Sequence, residues 1–578
     1  MHKKNGMTGS GCPSSNVQTP HSRESKKKVV NFKSPSRRVT KPHTLAPVLV
    51  CCLCLAVLAG CKVGPNFSRP DVAQNADYSR EKLPSTTASA GNVAGGAAQR
   101  LVTGMDIPGQ WWTLFRSPTL NALVEEALRA NTDVAAAQAA LRQANELVYA
   151  DQASLFPSLS GSASKTREKV SPVTLGSAGA GSTSAPILTV NSASLSVSYA
   201  PDVFGGVRRQ IESTAAQADY ERYQLEATYL TLSSNVVNTA VTLASLRDQV
   251  TATEQIIQLQ SDQLDLLKSR RELGAIADTD VLTQEASLAQ TRATLPPLQK
   301  QLAQTRNQLM AYLGRFPNQD KGERFELASL HLPEELPVSL PSAIVEQRPD
   351  VRSAEAQLHQ ASANIGVAVA NQLPQFSITG SLGSEVLAGT RLFSSGTGVW
   401  SLAGSITQPI FDAGALEHRK RAAVAAYDES AALYRGAVVS AFQDVANALR
   451  ALQADADALN QQVIAERAAQ QSLDLAQAQF RLGAVDYLNL LTAQQTYQNA
   501  IVARVKAQGA RYSDTTALFQ ALGGGWWNRT DVDPATAGKP DRFGLPSLKE
   551  IMPDSAQQPA RNTSSDKTLA ARLEQPNQ

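Results

Sequence analysis

The chain has 578 residues and a formal net charge of +3 at pH 7, with 42% hydrophobic and 5% aromatic residues. All five cysteines lie at or before Cys61, so the rest of the chain can form neither a disulfide nor a thiolate metal site. Residues 1–44 hold ten basic residues and one acidic residue. The remainder is therefore negative, which gives no reason to expect a nucleic-acid partner.

The chain begins with a pattern typical of a secretory signal. Residues 45–60 form a charge-free apolar run of 16 residues, whereas a membrane-spanning helix needs about 20. The basic stretch before this run and the small residues at its end favour a signal peptide over a short membrane helix. Leu58-Ala59-Gly60-Cys61 resembles a bacterial lipobox. That resemblance implies removal of residues 1–60 and two acyl chains on Cys61, which suffice for stable anchoring. By the usual lipoprotein sorting rule, an Asp directly after the cysteine would retain the protein at the inner membrane. This chain has Lys62 there, which predicts the outer membrane.

The chain after the signal is repeated. Residues 133–160 align with residues 350–377 at an offset of 217, and residues 273–283 align with residues 482–492 at an offset of 209. Each half is predicted to contain a helix, a strand, a loop, a strand, a long helix, a turn and a helix.

Two stretches predict very long helices. Residues 207–272 contain no Pro or Gly, and residues 415–481 contain only Gly436. At about 1.5 Å per residue, each helix would be roughly 100 Å long. In the first long helix, apolar residues recur every seven positions from Leu243 to Leu264, and in the return helix leucines do so from Leu288 to Leu309. This spacing is typical of a left-handed coiled coil. Gly274 and Gly483 are predicted to cap the helices where the chain turns back, and Pro296-Pro297 to kink or restart the helix after the first turn.

Four segments alternate apolar residues with serine, threonine or glycine. They are residues 158–164, 192–199, 376–383 and 400–407. This alternation is typical of the wall of a membrane β-barrel, although any one segment would equally fit a soluble hairpin. Four strands cannot close a barrel, and an open edge in lipid would leave backbone groups unpaired. The chain must therefore oligomerise, with eight strands from two copies or twelve from three.

Four motifs resemble the TolC-type outer membrane efflux channels, in the lipoprotein branch that includes OprM and the NodT-like proteins. They are GQWWTLFRSPTLNALVEEALRANTDV (109–134), QRPDVRSAE (347–355), QPIFDAG (408–414) and FQALGGGWW (519–527). The resemblance covers about residues 61–530. It implies a homotrimer in which four strands per chain form one twelve-stranded membrane β-barrel, continued by an α-helical barrel of coiled coils through the periplasm. A small mixed equatorial domain would draw on residues near 100–118, 316–340 and 515–530.

The resemblance, together with the repeat, implies a division of the chain into six parts. They are a leader and signal peptide (1–60), a lipid-anchored segment (61–117), a first repeat (118–315), an equatorial connection (316–339), a second repeat (340–520), and an equatorial end with a tail (521–578). The tail beyond about Asp531 is polar and rich in proline, and this composition predicts disorder.

The function implied is passive conduction of drugs or other small molecules through the outer membrane. The expected partners are a periplasmic adaptor (membrane fusion protein), an inner membrane RND-type transporter and outer membrane lipid. Two alternatives remain: the exit duct of a type I protein secretion system, and a structural coiled-coil lipoprotein, which would have no use for the strands. We expect no enzyme and no cofactor, because the three histidines after Cys61 lack metal-site spacing and Gly523-Gly524-Gly525 lacks the Lys and Ser/Thr of a phosphate loop.

The resemblance also places a periplasmic gate near residues 482–495, at the second helical turn. Many lipoprotein relatives carry an LLDAQR-like segment there, whose Asp and Arg form an aperture network. This chain has LLTAQQ instead, Leu490 to Gln495, so the charged positions are neutral. We hypothesise a gate held by neutral hydrogen bonds, and the alternative is that these residues only cap and pack the turn. The candidates are Asp486, Tyr487, Thr492 and Gln495.

Overall fold

A computed structural model describes residues 62–70, 78, 84–91, 93–170, 187–339, 341–387 and 391–529. The predicted signal peptide, the lipidation candidate Cys61 and the predicted disordered tail lie outside the described residues. Among the described helices, none is long and apolar enough to cross a membrane.

The same order of elements occurs twice along the chain. The first half contains β1 (Arg100–Thr103), α1 (Pro118–Ala130), α2 (Thr132–Ala153), β2 (Ser158–Lys169), β3 (Ile187–Tyr199), α3 (Gly206–Glu272) and α4 (Asp278–Tyr312). The second half contains β4 (Glu335–Val338), α5 (Pro341–Gln347), α6 (Pro349–Ala370), β5 (Gln375–Leu387), β6 (Gly398–Thr407), α7 (Ala415–Arg481) and α8 (Tyr487–Ala521).

The long helices α3 and α7 have 67 residues each, and α4 and α8 have 35 each. At 1.5 Å per residue the longer pair are about 100 Å long and the shorter pair about 52 Å. Gly274 and Gly483 follow the ends of α3 and α7 with φ of 73° and 72°. This left-handed conformation favours glycine, and it lets each chain reverse into the following helix.

The helix α4 continues without interruption through Pro296 and Pro297, so the predicted restart is wrong. The two prolines remove the backbone donors that would otherwise bond the carbonyls of Arg292 and Ala293. Both prolines and both of these residues are exposed. Water can therefore pair with the freed carbonyls, and the missing bonds do not end the helix.

The four longer strands form one antiparallel sheet in the order β2-β3-β5-β6. Serines lie on one face of this sheet, where hydroxyl pairs bridge neighbouring strands, as between Ser164 and Ser192 at 2.8 Å and between Ser381 and Ser401 at 2.8 Å. The opposite face is apolar and exposed. It includes Leu159, Leu195, Leu382, Trp400 and Leu402.

The largest apolar cluster lies where the short helices of both halves meet the middle of α3 and α7 and the C-terminal ends of α4 and α8. The ring of Trp111 stacks on Phe519 with centroids 5.3 Å apart, and Phe115 is fully buried beside them. The parallel pair β1 and β4 lies in this region, with Leu101 opposite Leu336. A second apolar cluster lies near the helical turns and includes Leu267, Leu288, Phe480, Tyr487 and Leu490.

The run of three glycines after α8 has a packing role. Gly523, Gly524 and Gly525 have φ of 90°, 65° and 71°. A Cβ atom on Gly523 would lie 2.4 Å from the carbonyl oxygen of Gln347, and one on Gly525 would lie 2.6 Å from that of Ile107. Only glycine allows both the left-handed backbone and the close approach.

Candidate functional site

Three of the four gate candidates engage their own helix or face outward within one chain. Asp486 caps the N-terminus of α8, and its Oδ1 accepts the backbone N–H of Asn489 at 3.0 Å. Thr492 donates its hydroxyl to the carbonyl of Leu488, one turn earlier, at 2.9 Å. Gln495 is exposed. The structure therefore does not bring these three side chains together in a single chain.

The fourth candidate, Tyr487, links three helices. Its hydroxyl donates a hydrogen bond to Oε1 of Gln284 on α4. The Nε2 of Gln284 in turn donates to the backbone carbonyl of Gln260 on α3 at 2.7 Å. Tyr487 is only 5% exposed and Gln284 is fully buried. Burial, helped by the charge of Asp280, raises the pKa of Tyr487 above its usual value, so the phenol stays protonated and remains a donor.

Buried polar side chains continue along the same helices, and together we name them the polar seam. Its members are Thr253, Gln260, Gln284, Thr291 and Gln494, each at most 4% exposed. Thr253 and Thr291 donate to carbonyls one turn earlier in their own helices, at 2.8 and 3.1 Å. Among the described residues, the side-chain amides of Gln260 and Gln494 have no hydrogen-bond partner for either polar atom. Such groups are rare in folded proteins because each one weakens the packing that buries it.

Sequence reasoning missed Gln284 and Gln494, although a signal for them exists. Gln494 lies seven residues after Tyr487 and seven before Ile501, and Thr291 lies seven after Gln284. A seven-residue spacing puts these positions on one face of each helix. The search for apolar repeats passed over them because they interrupt the apolar pattern.

A second polar cluster joins α8 to a segment near the N-terminus, residues 84–99. The guanidinium of Arg511 is buried and donates to the carbonyls of Gly95 and Ala97 at 2.7 Å each, and to Oγ1 of Thr87 at 3.1 Å. Close by, Asp455 of α7 faces Asp514 of α8. Burial, and the neighbouring carboxyl of Asp514, raise the pKa of Asp455 to about 7.

The residues that directly follow Cys61 are held against the start of α3. Arg209 is fully buried, and its guanidinium donates to the carbonyl of Val63 at 2.9 Å and to that of Gly64 at 3.1 Å. The ammonium of Lys62 pairs with Glu212. Burial opposes ionisation of Glu212, but bonds from His359, Lys62 and Arg209 lower its pKa to about 2. The carboxylate therefore stays charged and keeps the segment in place.

The model of the family described as "Outer membrane efflux protein" matches residues 123–315 and 340–524. The toluene efflux pump outer membrane protein TtgC of Pseudomonas putida is 29% identical over 475 residues, covering 82% of this chain and 94% of that protein. The protein named "Probable outer membrane lipoprotein SilC" of Salmonella typhimurium is 28% identical over 481 residues, covering 81% and 97%. The solved outer-membrane channel OprN has a TM-score of 0.70 and 27% identity, covering 81% of this chain and all of OprN.

Proposed function

The chain belongs to the outer membrane efflux protein family, and from that membership we propose that three copies join to form one continuous conduit. The chain is the outer membrane channel of an efflux pump and not an enzyme. The observation that supports the trimer is the open sheet, in which the outer strands β2 and β6 each pair with one described strand. Such edges are unstable in lipid, and three copies joined edge to edge give a closed barrel of twelve strands.

The two faces of the sheet support this arrangement. The serine face would line a water-filled lumen, and the face with Leu195, Leu382 and Trp400 would contact lipid. The long helices would continue the lumen as a coiled-coil tunnel through the periplasm. The mixed region around β1, β4 and the end of α8 would form its equatorial domain, and residues 118–315 and 340–520 would form the two repeats.

The proposed partners are a periplasmic adaptor and an inner membrane RND-type transporter, which would supply energy and select substrates. The relative TtgC is named for toluene efflux, and we propose drugs or other small molecules for this chain. The exit duct of a type I protein secretion system is the second candidate, because the same conduit could serve either system.

We further propose that Cys61 carries the lipid that anchors the chain in the outer membrane. The lipobox-like residues before it support this assignment, as does the name of the relative SilC. Val63 is fixed to α3 only two residues after Cys61, and its backbone N–H donates to the carbonyl of Phe204 at 3.2 Å. The acyl chains would therefore enter the membrane beside the point where β3 leads into α3.

The gate is proposed at the helical turns, where α8 must move relative to α3 and α4. Tyr487 and Gln284 join α8 to α4, and Asp486 holds the first turn of α8. Thr492 and Gln495 would act between copies, since both side chains are exposed in one chain and the Thr492 hydroxyl bonds only its own helix there. Planar-bilayer recordings of Asp486→Ala and Tyr487→Ala should show more leak through the closed channel. An unchanged leak in both variants would contradict the gate.

The main experiment is planar-bilayer conductance of the purified protein, with the oligomeric mass measured on the same sample. We expect a trimeric mass and discrete channel events that are mostly closed. A monomer or dimer without conductance would refute the conduit. The channel would then be reconstituted in two ways, with an RND transporter and its adaptor and with the inner membrane components of a type I secretion system. The assembly that transports its substrate identifies the system to which the channel belongs.

A further inference from the structure

We propose that the apolar face of the sheet ends in a binding site for phosphorylated lipid headgroups of the outer leaflet, formed by Lys165, Arg167 and Lys169 of β2. The proposal rests on the proposed barrel, because it requires this face to contact the membrane. The ligand class is a phosphorylated glycolipid of the lipid A type, and the proposal commits to the lipid rather than to free phosphate.

The charged residues of the four-stranded sheet separate by face. The register of β2 and β3 runs without a bulge from Ser158 opposite Ser198 to Lys169 opposite Ile187. Successive residues of a strand point to opposite faces. Lys165, Arg167 and Lys169 therefore share the apolar face with Leu159.

The two acidic residues of the sheet lie on the other face. Glu168 alternates with the three cations, and Glu385 stands opposite Ser192, which bonds Ser164 on the serine face. All three cations are exposed. Within the described part of the chain they take part in none of the ion pairs observed. The strand β6 has no charged residue, so a neighbouring copy that pairs its β6 with β2 would bring no counter-ion on that strand.

The height of the cations matches a headgroup region. The apolar face extends from the row of Phe376 and Ile406 to the row of Ser384 and Gly398, eight residues along β5. That distance is about 27 Å along the strand, or about 21 Å along the membrane normal for a tilt of about 40°. An apolar band about 25 Å tall is expected for outer membrane barrels. The next row on this face pairs Lys165 with Asn191 and Asn191 with the buried Val386, and further along Lys169 lies opposite the exposed Ile187. Cations therefore join the face where the exposed apolar band gives way to mixed residues.

The cations lie only at the end of the sheet that points away from the helices. The corresponding face at the helical end carries Tyr199, Ile378 and Ile406. Lys or Arg is strongly destabilising in the middle of a bilayer and nearly neutral at its edge, so a column of three marks the outer headgroup level. The guanidinium of Arg167 can bind phosphate in a bidentate manner, and the two lysines lie about 7 Å from it along the strand.

The test is native mass spectrometry of the purified trimer titrated with bisphosphorylated lipid A and, separately, with the same lipid after phosphate removal. The variant is Lys165→Gln/Arg167→Gln/Lys169→Gln, and Glu168→Gln is the matched control on the same strand but the opposite face. A cation near an anionic surface contributes about fivefold in affinity. We therefore expect a loss on the order of 100-fold for the triple variant and none for the control.

Equal binding of the two lipids to the wild-type protein would overturn the proposal without any variant. So would a triple variant that binds bisphosphorylated lipid A as the wild type does, or displacement of the lipid by inorganic phosphate at equal concentration, which would indicate a simple anion site. If the triple variant does not assemble, Arg167→Gln alone is expected to lose about fivefold. Trimeric mass and conductance are measured on the same samples, so a failure of the conduit is recognised separately from a failure of lipid binding.

Discussion

Replacing Tyr487 by Phe should loosen the gate and leave the fold intact. The change removes the hydroxyl that donates to Gln284 and leaves Oε1 of a fully buried glutamine without a partner. A lost hydrogen bond destabilises by about 0.5–1.5 kcal/mol, and an unpaired buried acceptor by about 1–3 kcal/mol. We expect about 2 kcal/mol per chain, or about thirtyfold for each chain in the equilibrium between the closed and open states. Planar-bilayer recordings would show this as a higher open probability at unchanged unitary conductance.

A matched control is Tyr497→Phe, which removes the same atom ten residues further along α8. It should leave the open probability unchanged. The double variant Tyr487→Phe/Gln284→Met makes both partners apolar and should restore part of the closed state, because no unpaired acceptor remains. The reasoning fails if Tyr487→Phe leaks no more than Tyr497→Phe. It also fails if the effects of Tyr487→Phe and Gln284→Met on the leak simply add in the double variant.

Three further predictions concern the rest of the chain. Because folding raises the pKa of Asp455 from its usual 3.8 to about 7, the folded state binds the extra proton and stability should fall as pH rises from about 4 through 7. Asp455→Asn should flatten that slope in thermal melts at pH 5 and pH 8, and equal slopes would contradict the carboxyl pair. Cys61→Ala should abolish incorporation of labelled palmitate, and labelling that persists would place the lipid elsewhere. Arg209→Met breaks a buried charge cluster and should lower the free energy of unfolding by about 3 kcal/mol. Limited proteolysis of this variant should then cut within residues 62–70. Protection of that segment equal to the wild type would refute the role of Arg209.

The helices could be predicted closely from the sequence, but the strands could not be predicted to their full length. The absence of Pro and Gly marks α3 and α7 to within a residue, since these residues are the main helix breakers. The strand β2 continues to Lys169, five residues past its predicted end. Beyond Ser164 both of its faces carry polar residues, so the alternation of apolar and polar residues disappears while the backbone pairing with β3 continues.

The hydrogen bonds at the start of α8 could be predicted only in part. The motif resemblance pointed to the first turns of α8, where Tyr487 makes the contact that joins three helices. Its partner Gln284 is about 200 residues away in the sequence. That pairing depends on how α8 packs between α7 and α3, which a single sequence does not specify.

The placement of the polar seam explains how the helices could open at one end only. A buried Leu stabilises a helix interface by about 1.5–3 kcal/mol, whereas a buried amide without partners weakens it by about 1–3 kcal/mol. Gln260 and Gln494 lie within the apolar cluster at the turns, and members of that cluster flank each of them along its helix. The free energy needed to separate the helices at the turns is therefore mainly that of the small apolar cluster and of the Tyr487 hydrogen bond. The larger cluster around Trp111 and Phe519 contains none of these unpaired amides, so motion that starts at the turns should stop before it and leave the equatorial region and the barrel unchanged.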